Sequence, residues 1–221
     1  MNALTETLRP ELTGMPARIA ALPVFRGYPV PWFVAYPNGP DGEPEFRTAD
    51  AKKWIAAVKE KLCWVCGQQL GAYLVFVLGP MCGVTRTTSE PACHRECAEW
   101  SALNCPFLTR PHMVRREDNL PEGVIEAPGL PLRRNPGVTL LWCTRSFSLF
   151  RGPDRRFLIR VGDPLEVLCY AEGRRATRRE VDESVAGGLP KLIELAKLDG
   201  EEAEADLVKK VGEFEFYLPA R

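Results

Sequence analysis

Two short runs carry the residues of this chain most suited to chemistry. Cys63-Trp64-Val65-Cys66-Gly67 places two thiols three positions apart and follows them with glycine. Thiolates at this spacing can grip one metal ion while backbone amides point at the sulfurs, and glycine permits the tight turn that follows. CxxC also serves dithiol redox chemistry. A redox pair, however, sits at a helix N-terminus, where the dipole lowers the thiol pKa. Here a helical pattern precedes the pair and a strand pattern follows it, an order that disfavours redox use. The second run is Cys93-His94-Arg95-Glu96-Cys97. Near a helix start, residues three or four apart share a face, and the N-terminal dipole favours the Cys97 thiolate. Either His94 or Cys93 could stand beside Cys97.

Knuckle, strand region, then ligands in the first turn of a helix is the order of the treble-clef zinc fingers, and residues 60–106 resemble that family. The resemblance implies a structural Zn2+ held by Cys63, Cys66, His94 and Cys97. Because first-turn ligands in the family stand three apart, it places His94 ahead of Cys93, which remains the alternative. More loosely, the run from Gly79-Pro80-Met81-Cys82 through His94–Trp100 to Cys105-Pro106-Phe107-Leu108 resembles uncharacterised phage and bacterial proteins. So does the later Gly188-Leu189-Pro190. That likeness implies no activity.

Two enzymatic patterns fail on order. His94-Arg95-Glu96 has the H-x-E form of zinc deaminases, in which Cys63, Cys66 and His94 would bind zinc and Glu96 would shuttle protons. Those enzymes place H-x-E before the cysteine pair, and a fourth ligand at Cys97 would close the site to water. An HNH-type nuclease needs a histidine between the knuckle and the second ligand pair, and none occurs between Cys66 and His94, so that pattern fails unless His94 is catalytic and Cys93 binds the zinc. His112, the other histidine, reads as a solvated loop residue. Cys82 and Cys105 are expected to pack near the metal region. Cys105 stands at a helix end, where the dipole opposes a thiolate. Cys143 and Cys169 read as buried strand thiols.

The elements that must position these groups follow from periodicity. Proline-rich residues 16–44 include a strand over 30–36, a turn at Pro37–Gly42, and a hairpin return at 45–47. A helix over 49–62 with Ile55, Val58 and Leu62 on its apolar face delivers the chain to Cys63. A strand covers 73–78, and a helix over 92–104 stops at Pro106. Residues 139–150 read as one long strand, turning at Gly152-Pro153-Asp154 into a second strand through Phe157, Ile159 and Val161, with a third over 165–170. Phe147 and Phe157 fall at core positions of that alternation. Thr177 and Glu180 form a capping box. The helix it opens is expected to end at Gly187-Gly188, with further helices from near Pro190 and over 201–211. The fold class is α+β: a flexible extension at 1–14, a zinc-binding α+β unit over 15–108, a connecting arm at 109–137, and antiparallel strands followed by helices over 138–221.

Bulk properties limit the function. The chain has 221 residues, 29 basic and 29 acidic, enough to bury a core without staples. Residues 133–179 carry eleven basic against four acidic side chains, and residues 180–221 carry five against eleven. Arg151, Arg155, Arg156, Arg160, Arg174, Arg175, Arg178 and Arg179 are therefore the candidate phosphate ligands. Pairing with the acidic C-terminal helices of the same chain is the alternative use of that charge. The N-terminus lacks a secretory pattern and no apolar run could cross a membrane, so a cytoplasmic protein with reduced thiols is expected. The first expectation for function is a non-enzymatic zinc-stabilised protein that binds another protein. Nucleic-acid binding through the arginines of 145–179 is second, and a zinc-dependent hydrolase or deaminase-like enzyme third. The sequence assigns no oligomeric state.

Overall fold

The computed structural model describes residues 7–111, 113–114, 118, 135–152 and 154–219. His112 and most of the expected connecting arm lie outside them. The described residues form a mixed α and β structure.

The N-terminal elements are short because proline interrupts them. Helix α1 (Ala17–Ala20) precedes a small ladder of β1 (Val24–Phe25) with β2 (Tyr28–Pro29), and β3 (Val34–Ala35) pairs with β4 (Glu45–Ala49). The strand expected over 30–36 shrinks to β3. Pro31 has no N–H to give a ladder, and its carbonyl closes a turn onto the Val34 amide at 3.0 Å. Helix α2 (Ala51–Glu60) opens at Asp50, whose carboxylate accepts from the amides of Lys52 and Lys53, and it closes at Lys61 in the left-handed conformation. Its inward face is Trp54, Ala57 and Val58. Ile55, expected on that face, is 48% exposed. Trp54 wins the inward position because its indole also donates to the Ser89 carbonyl at 2.7 Å.

Strand β5 (Leu74–Leu78) is followed by two elements that periodicity does not reveal, α3 (Pro80–Thr85) and β6 (Thr87–Thr88). Helix α4 (Arg95–Asn104) begins three residues after its expected start. Cys93 is held extended instead, exchanging both backbone hydrogen bonds with Val75 of β5 at 2.8 and 3.1 Å. Pro106 ends α4 and begins α5 (Pro106–Thr109), consistent with its fixed φ at a helix start.

The long strand expected over 139–150 is two strands in two sheets. β7 (Thr139–Thr144) and β8 (Phe147–Arg151) separate at Arg145-Ser146, where the Thr144 hydroxyl donates to the Asp163 carbonyl at 2.8 Å. With β9 (Phe157–Val161), β10 (Glu166–Ala171) and β11 (Arg174–Arg175), these strands complete an antiparallel sheet of order β11-β10-β7-β5 and a smaller one of order β6-β9-β8. Phe147 packs edge-on against Phe76 of the core. Phe157 does not reach the core and is 43% exposed under the Arg151 guanidinium.

Helix α6 (Arg178–Asp199) opens with the expected capping box but runs on through Gly187, Gly188 and Pro190. Its continuation is stabilised by packing. A Cβ at Gly188 would stand 2.7 Å from Met81 Cγ on α3, so glycine admits the close approach. Helix α7 (Glu201–Glu215) follows Gly200. α3 is also approached closely at Gly83, where an added Cβ would lie 2.6 Å from Leu140 and 2.7 Å from Phe214.

The larger of two apolar clusters runs from Ile19 through Cys63, Phe76, Cys97 and Trp142 to Phe214, and a small one holds Phe25, Val30 and Val34. Trp142 is the larger cluster's largest fully buried side chain. Its indole donates to the Gly162 carbonyl at 2.8 Å, and its ring meets Tyr217 edge-on at 5.4 Å. Trp142→Ala should cost about 3–5 kcal/mol. Because one cluster joins both ends of the chain, tryptophan fluorescence and far-ultraviolet circular dichroism should report one coincident transition for the parent and the variant. Two separated transitions would show that the cluster is not a cooperative unit.

Candidate metal centre

The ligand atoms of Cys63, Cys66, His94 and Cys97 all lie within 4.8 Å of one another. This cluster of three cysteines and one histidine could bind a metal ion. The three cysteines are buried and His94 is half-buried.

Local backbone chemistry explains the convergence. Left-handed Lys61 turns the chain out of α2, and Leu62 then bridges Gln69 in antiparallel fashion. Within that loop the Cys63 amide donates to the Gln68 carbonyl at 2.8 Å, and the Gly67 amide donates to the Cys63 carbonyl at 2.8 Å. Gly67 has φ +72°, and a Cβ there would lie 2.6 Å from Trp32 Cγ. Glycine is thus required both by the turn and by the indole lying on it. The Trp32 amide donates to the Val65 carbonyl at 2.7 Å, and Phe33 stacks on Trp64 at 5.0 Å. The proline-rich N-terminal segment therefore clamps the knuckle from outside.

The second ligand pair is delivered by β5. The Val75–Cys93 bridge fixes the backbone one residue before His94, and the Trp64 amide donates to the Ala92 carbonyl at 2.9 Å. His94 is the N-cap residue of α4, and Cys97 lies in the first turn. The His94 amide donates to Cys63 Sγ at 3.4 Å. Its ring is oriented from both sides. Nε2 stands 3.0 Å from the Gln69 carbonyl, and Nδ1 stands 3.4 Å from Cys66 Sγ. A carbonyl oxygen can only accept, so Nε2 carries the proton and Nδ1 presents its lone pair to the thiols. Such an outer hydrogen bond fixes the tautomer of a ligating histidine.

The thiols compete for negative charge. Cys63 is held far below the ordinary thiol range, first by the hydrogen bond from Cys66 and then by those from Cys93 and Cys97. Cys97 and Cys66 are pushed up, each chiefly by its bond to Cys63. One thiolate is thus shared among neighbours that cannot all ionise together, and a cation at their centre would remove the conflict. Cys93 is pushed well up, by Cys63 first and by burial second. Its thiol touches Cys63 but does not join the four converging ligand atoms. The alternative in which Cys93 replaces His94 lacks that convergence.

Sequence reasoning does not identify Arg18. From α1, its Nε donates to Glu96 at 2.7 Å, and a second nitrogen bonds the Gln68 side chain. Its pKa is raised, first by Glu96 and in smaller part by Cys66 and Cys97. It is a cation set beside a thiolate cluster. Nothing in the spacing announces this, because Arg18 is 78 residues from Glu96. The remaining cysteines are free thiols. Burial raises Cys82 and Cys169 to about 11, which leaves them protonated and unreactive at neutral pH.

The eight candidate phosphate ligands divide into two groups. Arg156 pairs with Asp154 at 2.7 Å, Arg174 with Glu180 at 2.7 Å, and Arg179 with Glu183 at 3.7 Å. Arg178 bonds Asp182 at 2.7 Å and also Glu215 of α7. Arg151, Arg160 and Arg175 lie instead over the rings of Phe157, Phe150 and Tyr170 at 4.5, 5.0 and 4.8 Å. Arg155 adopts positive φ at the hairpin tip. Among the described residues no helix is long and apolar enough to cross a membrane.

Comparison with protein-family models, curated proteins and solved structures finds no match.

Metal determination on purified variants checks the ligand set. Cys97→Ser should lose bound metal, whereas Cys93→Ser should retain the parent stoichiometry. Loss of metal from Cys93→Ser as well would put the fourth ligand at Cys93 in place of His94. Retained metal should also fall as pH is lowered, because protons compete for the thiolates and for His94 Nδ1.

Proposed function

We propose that this chain is a non-enzymatic interaction protein whose Cys63, Cys66, His94 and Cys97 hold one structural Zn2+ in a treble-clef-like arrangement, and that it binds another protein. The convergence of four ligand atoms, three of them on buried cysteines, is the observation that carries the metal assignment. Three sulfur donors with one imidazole nitrogen suit zinc. Thiolates about 2.3 Å from a tetrahedral ion stand about 3.8 Å apart, a small contraction of the present cluster. The order of knuckle, β5 and first turn of α4 supports the treble-clef likeness. The resemblance to uncharacterised phage and bacterial proteins rests on the sequence runs alone. With four protein ligands no coordination position is left for water, which supports a structural over a catalytic ion. Glu96, the residue a deaminase-like reaction would use, is engaged by Arg18.

Nucleic-acid binding is the second reading. Its support is that Arg151, Arg155, Arg160 and Arg175 make no salt bridge among the described residues.

X-ray absorption on the metal-loaded protein should show three sulfur and one nitrogen neighbours, near about 2.3 and 2.0 Å. A bound water in place of a protein ligand would overturn the structural reading. A mobility assay over a salt series separates the two binding readings: steeply salt-dependent affinity for oligonucleotides favours phosphate contacts.

A further inference from the structure

The β8–β9 hairpin is the part of the molecule whose chemistry the metal site leaves unused. Within the small sheet, order β6-β9-β8, strand β8 pairs among the described residues with β9 alone. Its other edge presents main-chain groups that no strand among the described residues satisfies, and such an edge is a template for a further strand. Register places Leu149 and Arg151 on one face, opposite Ile159 and Phe157. Leu149 is 41% exposed and Phe157 is similarly open. The other face carries Ser148 and Phe150, with Arg160 lying over the Phe150 ring.

The charge is one-sided. Residues 145–161 contain five arginines and a single acid, Asp154, and Asp154 is bonded to Arg156. Asp206 of α7 is paired with Lys210 at 2.6 Å, and Arg160 contributes a smaller part to lowering its carboxyl. Arg160 itself makes no ion pair among the described residues, so its donors can meet a further carboxylate. Pairing of β8 with the β8 of a second copy would set these arginines against each other, which disfavours self-association. Stacking of nucleobases is disfavoured too, because the Phe157 and Phe150 rings are already covered by Arg151 and Arg160. The combination of a backbone edge that no described strand fills, the exposed Leu149 beside it and flanking guanidinium groups matches one kind of occupant.

We infer that the edge of β8 left unpaired among the described residues docks an extended acidic segment of a partner protein, which adds a strand beside β8, seats an apolar side chain against Leu149 on one face, and from alternate positions offers carboxylates to Arg160 on the other. The inference rests on the reading of the chain as a protein-binding module and names the kind of partner. Main-chain bonds would supply register, and the alternating side chains would supply selectivity.

The test uses the full metal-loaded chain and fluorescence anisotropy at low salt. The probe is a labelled peptide of about ten alternating glutamate and valine residues, long enough to span β8. One control carries proline at alternate positions, which removes the donors a strand needs. A second is an oligothymidylate of similar length. The alternating peptide should bind at least about tenfold more tightly than the proline control, and Arg160→Glu should weaken it by about tenfold or more. Leu149→Lys, a change at an exposed position, should also weaken it. Equal binding of both peptides, no binding, or tighter binding of the oligonucleotide would overturn the inference. So would dimerisation in sedimentation that Arg151→Glu strengthens. Metal content measured on the same samples separates the two levels. Full metal with no strand-selective binding sinks the β8 assignment alone, whereas absence of metal with intact peptide binding sinks the zinc site and leaves β8 standing.

Discussion

Strand β5 is bonded on both of its edges, and the rest of the structure depends on that. Along one edge it pairs with β7 from Leu74 to Leu78. On the other, Val75 turns its amide and carbonyl to Cys93. An antiparallel residue sends both main-chain groups to the same side, so Val75 can serve Cys93 while its neighbours serve β7. One short apolar strand thereby ties the segment that carries His94 and Cys97 to the central sheet. The knuckle is tied to the same place through the Trp64 amide and the Ala92 carbonyl.

The cluster is accordingly continuous with the core. Cys63 and Cys97 belong to the same apolar cluster as Phe76 and Trp142. Burial at this point makes isolated thiolates costly, and the hydrogen bonds among the thiols, ahead of burial, push their pKa values in opposite directions. An amide and a cation lie beside the cluster: the His94 amide donates to Cys63, and the Arg18 charge acts on Cys66 and Cys97 from its place on Glu96. A divalent ion bound there would be shielded by protein on most sides, as a structural ion is.

The arginines illustrate how a charge pattern is divided by a fold. Arg174, Arg178 and Arg179 neighbour acids on α6 and α7, so much of the basic stretch is answered within the chain. The hairpin is answered less: Arg160 contributes to lowering the Asp206 carboxyl of α7, but Arg151, Arg155 and Arg160 form no ion pair among the described residues. Its guanidinium groups cover aromatic rings, which hides some apolar area from water while the N–H donors stay available.

Local chemistry makes the candidate ligands legible in the amino-acid sequence. CxxC followed by glycine, His94 three before Cys97, the Thr177–Glu180 capping box and the α+β class all follow from side-chain type at fixed spacing, which acts over a few residues. The elements that differ from expectation share another cause. Residues 139–150 look like one strand because alternation does not record that β7 and β8 join different sheets. Gly187-Gly188 and Pro190 look like a helix end because the sequence does not show Met81 waiting for a residue without a side chain. Period alone points Ile55 and Phe157 inward, yet hydrogen bonding of Trp54 and the reach of Arg151 settle their places. Arg18 joins the site from 78 residues away. The sequence by itself determined which residues could bind an ion and which local turns would hold them. Only tertiary structure decided that they meet, because the distances that bring them together are closed by β5, whose two edges connect segments far apart in the chain.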